Sequence, residues 1–273
     1  MKIYHYTNID SLALILKNKT IRFNRLDQVD DIEEGAVESL GVRACKYVFV
    51  SCWTEVPEEN IPLWKMYGGD AGGVRISMER EMFKEYLITD LNLGNGLRTI
   101  GSIWSKIPKH DIENPNYMFI PILNYDNDLF YRHVKYVDDI SIYTKDAIQL
   151  SNYNNGCADM QAKLKPFGYY KNKRWAFQNE TRFVLYAFPC NMLKEGNNPE
   201  ISTIFTNSIL TNRPLPFSYY DMCLKDDAFE TLEITLSPSA TEAQKIIVQS
   251  LIEKYAPKSK VHPSSLGSII RLK

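Results

Sequence analysis

The hydrophobic positions near the N-terminus follow first a period of two and then a period close to 3.6. Aromatic and β-branched residues dominate residues 2–7, which predicts a strand with His5 and Thr7 on the same face. Apolar residues then recur at helical spacing, at Ile9, Leu12, Ala13 and Leu16. Because Thr7, Asn8 and Asp10 offer side-chain oxygens to the first turn, we expect this strand to lead directly into an amphipathic helix.

The same two periods predict most of the other elements. Further strands are expected at residues 20–26, 46–53, 73–77, 132–143, 181–188, 232–237 and 268–273. Helices are expected at residues 59–68 and 78–87, and residues 146–164 read as mixed, with helix at their ends. A capping box of Ser239 and Glu242 predicts a last helix with Ile247, Leu251 and Tyr255 on one face.

Two stretches, at about 89–128 and 189–228, lose both periods and are rich in Asn, Gly and Pro. We expect them to be irregular insertions in a single domain that covers residues 1–273. Strands and helices do not alternate regularly along the chain. The pattern therefore predicts an α+β fold with a mixed or antiparallel central sheet and flanking helices.

Charge and length restrict the function. Lys and Arg number 32 against 33 Asp and Glu, a net charge of −1, which lacks the basic excess expected of a duplex DNA-binding protein. No apolar run approaches the roughly 20 residues of a membrane-spanning helix, and the N-terminus lacks a signal-peptide pattern. A cytoplasmic protein without a membrane segment is therefore expected.

The five cysteines and four histidines are scattered along the chain. No two cysteines have the Cys-x-x-Cys spacing of a zinc or redox site. We therefore expect reduced thiols and no bound metal.

Two motifs far apart in the chain carry a resemblance to known proteins. The chain opens with Tyr-His-Tyr-Thr, and a later segment from Trp175 to Arg182 reads Trp-x-aromatic-x-x-Glu-x-Arg. Over residues 3–188 the pattern resembles a bacterial family of unknown function, and more distantly the ADP-ribosyltransferase-like proteins. Two positions depart from that family: residues 29–34 stand where it has Asn-Asp-Pro, and Phe177 stands where it has tyrosine.

The resemblance implies an ADP-ribosyltransferase-like split sheet and NAD as the substrate. His5 would hold NAD near its ribose and nicotinamide, with Thr7 beside it, and Tyr67 would stack on the nicotinamide. The nucleotide-binding residues would also include Tyr6, Arg22, Ser51 and Arg182. Chemistry alone leaves a plainer interpretation open, in which His5 bonds within the fold and the tyrosines belong to the core.

Arg22 and Arg25 lie on the second predicted strand. A guanidinium matches phosphate oxygens bidentately, so this strand could bind the pyrophosphate of NAD. The alternative is that one of these arginines pairs with the acidic residues within 27–34.

Glu180 stands at the head of the strongest strand in the second half of the chain. Cleavage of the N-glycosidic bond of NAD passes through an oxocarbenium-like state, which a nearby carboxylate stabilises. Glu180 could also fix a ribose hydroxyl or accept the proton of the nucleophile. The alternative is a simple ion pair with Arg182, two residues along the same strand face, which would contribute about 0–1 kcal/mol if exposed.

Three functions follow from these patterns. The first is an NAD-dependent ADP-ribosyltransferase or NAD glycohydrolase, with a macromolecular acceptor or water, and the resemblance suggests a toxin or phage-defence effector. The second is a non-enzymatic nucleotide-sensing or protein-interaction module whose irregular stretches bind the partner. The third, a hydrolase using Cys52 with His5 or His133, is disfavoured, because a cysteine in an apolar strand is usually an inert core thiol.

Overall fold

The computed structural model describes residues 1–68, 72–91, 101–120, 129–154, 157–192 and 200–270. Its α-helices are α1 (Ile9–Asn18), α2 (Ile32–Gly35), α3 (Ile61–Gly68), α4 (Lys109–Ile112), α5 (Ser141–Thr144), α6 (Ile201–Leu210) and α7 (Glu242–Tyr255). Short 3-10 turns lie at Leu26–Gln28, Ala44–Tyr47, Lys173–Gln178 and Ala228–Glu230.

The strands of the first half are β1 (Lys2–Asn8), β2 (Thr20–Arg25), β3 (Val48–Thr54), β4 (Gly73–Glu79), β5 (Tyr86–Thr89), β6 (Ser102–Ser105), β7 (Met118–Phe119) and β8 (Tyr131–His133). Those of the second half are β9 (Lys135–Val137), β10 (Ile148–Asn154), β11 (Cys157–Ala162), β12 (Tyr170–Asn172), β13 (Glu180–Phe188), β14 (Tyr219–Cys223), β15 (Glu233–Leu236) and β16 (Lys260–His262).

The central sheet runs in the order β14-β2-β3-β1-β4-β15-β16, and β13 lies against β3 and carries β7 and β8. All of these pairs are antiparallel except β15–β16, which is parallel. The protein is therefore α+β with a mixed central sheet, which confirms the fold class predicted from sequence.

The sheet divides between β1 and β3. Strand β1 pairs with β4 along all of Lys2–Asn8, but with β3 at one position only, Tyr4 opposite Thr54. Further along the same edge, β3 pairs with β2 at Phe49 and Val50. One arm of the sheet is therefore β2, β3 and β13, the other is β1, β4 and β15, and a cleft opens where they part.

Helix α1 connects the two arms. Asn8 caps it, because the Asn8 side chain accepts a hydrogen bond from the Ser11 amide at 2.8 Å. Its C-cap, Lys19, has a φ of 53°, and the chain then turns into β2. Ile9, Leu12 and Leu16 are buried, as their spacing predicts, and the helix packs against α7.

Most of the remaining predicted elements form. Strands β2, β3, β4, β13 and β15 and helix α3 lie where the two periods placed them. Strand β13 is buried along its whole length, which accounts for its nearly continuous apolar sequence. No helix in the described ranges could cross a bilayer, since the longest, α7, has 14 residues.

The helix predicted at 78–87 is wrong. Residues 80–85 form a turn and extended segments, and β5 follows. The Arg80 amide bonds to the Met1 carbonyl and the Lys84 amide to the Cys223 carbonyl. These partners lie far away in sequence, so local helical spacing could not reveal them.

Four smaller predictions also fail. Residues 146–164 are mainly the antiparallel pair β10–β11, whereas helix was expected at their ends. Thr241, with Gln244, forms the capping box of α7 in place of Ser239 and Glu242. Val248 and Ile252 are its buried residues, whereas Ile247 is 49% exposed. Residues 268–270 form a turn and an irregular end, and 271–273 lie outside the described residues.

The two stretches expected to be irregular contain regular elements. Residues 101–120 include β6, α4 and β7, and β7 pairs directly with β13. Residues 200–228 include α6 and β14, and β14 extends the central sheet beside β2. The rest of these stretches, 92–100, 121–128 and 193–199, lies outside the described residues.

Candidate functional site

A cleft of about 470 Å³ occupies the point where the two arms of the sheet part. Its walls come from β1, β2, β3, β13, α1 and α3. Eight of the residues expected to bind or act on NAD line it: His5, Tyr6, Thr7, Arg22, Ser51, Tyr67, Glu180 and Arg182. Arg25 is not among its lining residues. The structure thus brings together side chains from segments more than a hundred residues apart.

His5 bridges the parting of the two arms. Its Nδ1 lies 2.8 Å from the Cys52 carbonyl oxygen, on the stretch of β3 between the positions paired with β2 and with β1. Its ring also packs against Trp53, with 5.1 Å between centroids. Because a carbonyl oxygen only accepts, Nδ1 carries the proton, and burial lowers the pKa of the ring. In His5, which lines the cleft, Nε2 is therefore the unprotonated, acceptor nitrogen of the ring.

Glu180 lies in a buried group of charges on the floor of the cleft. Its Oε1 accepts from Arg182 Nε at 2.6 Å, and its Oε2 accepts from Lys171 Nζ at 2.9 Å and Arg182 Nη2 at 3.2 Å. Burial alone would raise the pKa of Glu180, but the charges of Arg182 and Lys171 outweigh it and lower the pKa to about 2. Glu180 is therefore an oriented carboxylate across the physiological pH range.

Glu34 holds the far side of Arg182. The Arg182 guanidinium donates to both oxygens of Glu34, Nη2 to Oε2 at 2.9 Å and Nη1 to Oε1. Burial raises the pKa of Glu34, although the charge of Arg182 acts against this. Burial alone would lower the pKa of Arg182, but the two carboxylates raise it well above its ordinary value. Arg182 is thus fully buried and held bidentately between Glu34 and Glu180.

A hydrogen-bonded chain leads from Glu180 back toward the mouth of the cleft. Lys171 Nζ donates to Gln178 Oε1 at 2.7 Å, and Gln178 Nε2 donates to the Tyr67 hydroxyl at 3.1 Å. Burial and the negative charge of Asp30 raise the pKa of Tyr67, so its hydroxyl stays protonated. Asp30 is exposed and lines the cleft. Among the described residues that line the cleft, the other two carboxylates, Glu180 and Asp221, are held in ion pairs. Asp30 is the lining carboxylate that a ligand can contact without breaking such a pair.

Trp175 contacts Lys171, a member of this hydrogen-bonded chain of side chains. Lys171 Nζ lies 4.7 Å from the centroid of the Trp175 ring, a cation–π contact. The Trp-x-x-x-x-Glu-x-Arg element therefore contributes three members of one cluster: Trp175 under Lys171, Glu180 bound to Lys171, and Arg182 bound to Glu180.

Arg22 lies at the outer end of the cleft and is paired across strands. Its Nε and Nη2 donate to Asp221 Oδ1 and Oδ2 at 2.8 and 2.9 Å. The partner is thus Asp221 on β14, whereas Arg25 pairs with Asp27 at 2.6 Å, within the acidic run. A phosphate that binds the same edge of Arg22 would have to compete with Asp221.

The other three predicted residues, Thr7, Tyr6 and Ser51, differ in how accessible their polar atoms are to a ligand. Thr7 is half-buried and lines the cleft at the end of β1. Tyr6 is buried, its hydroxyl accepts from the Asn60 amide at 2.9 Å, and its ring meets Trp64 edge-on. Ser51 is buried and its Oγ accepts from Trp53 Nε1 at 2.9 Å. Tyr6 and Ser51 thus shape the wall of the cleft, and each hydroxyl oxygen already accepts one hydrogen bond.

The geometry does not favour a thiol hydrolase. Burial raises the pKa of the Cys52 thiol far above its ordinary value, and His5 bonds to the Cys52 carbonyl instead of to its sulfur. His133 is exposed and bonds to Glu55, which does not line the cleft. Among the described residues, no three His, Cys, Asp or Glu side chains are grouped so as to hold a metal ion.

Sequence reasoning missed five residues of the site: Asp30, Glu34, Lys171, Gln178 and Asp221. Lys171 sits in a basic segment and Glu34 in an acidic run, where single charges look solvated. Lys171 and Glu34 are recognised as site residues only through their ion-pair partners, Glu180 and Arg182, which lie on another element. The closeness of Lys171 and Gln178 to the Trp175–Arg182 motif was the one local signal.

No protein-family profile, no curated protein and no solved structure matches this chain. The family membership and the ADP-ribosyltransferase-like split sheet therefore stay predictions from sequence.

Proposed function

We propose that the cleft binds NAD and that the protein cleaves its N-glycosidic bond, transferring ADP-ribose to an acceptor or to water. The observation that carries this proposal is the meeting of His5, Tyr67 and Glu180 in one cleft where the sheet divides. The parting of β1 from β3 supports the split sheet that the resemblance implies. A role as a toxin or phage-defence effector rests on the resemblance alone.

His5 supplies a neutral acceptor. With Nδ1 held by the Cys52 carbonyl, Nε2 can accept from a ribose hydroxyl or from the carboxamide of nicotinamide. Tyr67 supplies an aromatic face and a protonated hydroxyl on α3. These two residues would orient the nicotinamide riboside half of NAD over the floor of the cleft.

Glu180 supplies a fixed negative charge beneath that half. Positive charge develops on the ribose as the glycosidic bond breaks, and a preoriented carboxylate stabilises it without rearrangement. Because its pKa is about 2, Glu180 is a poor proton acceptor. We assign that task to the exposed carboxylate of Asp30, which lines the same cleft.

A second candidate is a module that binds the nucleotide and performs no chemistry. It is favoured by one observation: both oxygens of Glu180 already accept hydrogen bonds from Arg182 or Lys171. A carboxylate neutralised in this way can serve mainly to hold the floor of the cleft together. The two candidates share NAD binding and differ only in turnover.

The test is release of nicotinamide from NAD, followed by chromatography, together with the shift in thermal unfolding caused by NAD. The transferase or glycohydrolase predicts a shift and nicotinamide release, with release falling at least about a hundredfold in Glu180→Gln. As control, Glu58→Gln changes an exposed carboxylate outside the cleft and keeps the wild-type rate.

The two candidates give different outcomes in this test. A thermal shift without any nicotinamide release, under conditions that include protein and nucleic-acid acceptors, supports the binding module. The absence of both a shift and release contradicts both candidates.

A further inference from the structure

Arg22 is the cation that a phosphate in the cleft would meet. Three cationic side chains are among the described residues of the lining: Arg22, Lys171 and Arg182. The side chains of Lys171 and Arg182 are 5% and 0% exposed and already bind Glu180, whereas that of Arg22 is 45% exposed. Of these three cations, Arg22 is therefore the one that is exposed to a phosphate in the cleft.

Asp221 already binds Arg22 in the way a phosphate would. The two residues are directly opposite each other on β2 and β14, and two parallel hydrogen bonds join guanidinium and carboxylate. Tyr219 covers one face of the guanidinium at 3.7 Å, and Asp221 occupies its Nε–Nη2 edge, one of the two edges through which a guanidinium binds an oxyanion bidentately. Asp221 also lines the cleft, so a ligand phosphate at this edge of Arg22 would compete with Asp221 for the same two donors.

We propose that Asp221 is a specificity-determining residue that occupies the phosphate position on Arg22 and so lowers the affinity of the cleft for phosphate-bearing nucleotides. This inference rests on the proposed function, because NAD is the nucleotide considered. The Asp221 side chain is 31% exposed, and exposed ion pairs are weak, so a pyrophosphate can displace it. Asp221 thereby determines how the free energy of NAD binding is divided between the pyrophosphate and the nicotinamide riboside half.

The experiment compares the full-length wild type with Asp221→Asn by calorimetric titration of two ligands, NAD and nicotinamide riboside. NAD affinity should rise about threefold to fivefold in the variant, since a weak competing ion pair is removed. The affinity for nicotinamide riboside, which has no phosphate, should not change. The gain for NAD should vanish in the double variant Arg22→Gln/Asp221→Asn and shrink at high salt.

Asp226→Asn is the matched control, because it removes the same charge from a fully exposed residue outside the cleft. An equal gain in that control, or no gain in Asp221→Asn, overturns the proposal. Asp221 also contributes to the pairing of β14 with β2. Asp221→Thr is therefore measured beside Asp221→Asn, because threonine also removes the carboxylate and is favoured in strands. Binding of nicotinamide riboside by the wild type tests the proposed function separately, and if neither ligand binds any variant, both proposals fail.

Discussion

Glu180 shows how burial changes the meaning of a charged residue. From the sequence, an exposed pair with Arg182 would contribute about 0–1 kcal/mol. In the structure Glu180 is buried among Arg182, Lys171 and Glu34, where each charge must be paired to offset its lost hydration. The cluster therefore both fixes the carboxylate and makes the fold depend on its ionisation.

The pH dependence of stability follows from this cluster. The folded-state pKa of Glu180, about 2, lies below the ordinary value of roughly 4.3. Its stabilisation is therefore full above pH 5 and is lost as the pH falls toward 2. We expect this residue to contribute about 3 kcal/mol to that loss, and Glu180→Gln to lack it, as measured by urea denaturation between pH 2 and pH 7.

The control for this measurement is Glu58→Gln, which should follow the wild-type pH profile. Glu34, whose burial raises its pKa, acts with the opposite sign: its contribution is lost as the pH rises. Because the charge of Glu180 contributes to the raised pKa of Glu34, the difference between the two proteins reports Glu180 together with its effect on Glu34. Parallel profiles for the wild type and Glu180→Gln would show that the Glu180 pairing contributes no pH-dependent stability.

At the scale of elements, α3 brings Tyr67 to the cleft because two glycines let it approach β4. A Cβ added to Gly73 would lie 2.6 Å from the Gly68 Cα and 3.3 Å from the Trp64 ring. These are closer than side-chain carbons normally come, and a backbone atom cannot move aside cheaply. The position of α3, and with it one wall of the cleft, depends on the absence of a side chain at Gly73.

Gly73→Ala should therefore lower the free energy of unfolding by about 1–3 kcal/mol and weaken NAD binding through the displaced Tyr67. Urea denaturation and a titration with NAD measure the two effects. Gly267→Ala is the matched control, because a Cβ there meets its nearest neighbour at an ordinary 3.5 Å. Equal stability of the two variants would mean that α3 does not need the close approach.

Elements with a strong local pattern could be predicted, and those that depend on distant partners could not. Strand β13 and helix α1 carry their period and their capping signals in their own sequence. Residues 78–87 have helical spacing, but their backbone groups bond to Met1 and Cys223. In the same way, Glu180 could be predicted as a site residue from its position at the start of a strand. Glu34 is identified as one only by its ion pair with Arg182.

At the scale of the whole molecule, the site exists because two arms of one sheet part. His5 and Thr7 come from the β1 arm, Glu180 and Arg182 from the β3–β13 arm, and α3 adds Tyr67. A ligand in the cleft would touch both arms, so its binding energy would also hold them together. The hydrophobic pattern alone does not show this parting, since it follows from a register in which β1 and β3 share a single pair.

The most direct test of this account is a calorimetric titration of NAD into the wild type and into His5→Asn. Asparagine keeps an N–H that can serve the Cys52 carbonyl but removes the ring acceptor Nε2 that is proposed to bind NAD. We expect saturable binding of one NAD per chain to the wild type and an affinity about fivefold lower in the variant, the effect of one lost hydrogen bond. No saturable heat with the wild type, or equal affinity for both proteins, would contradict the account.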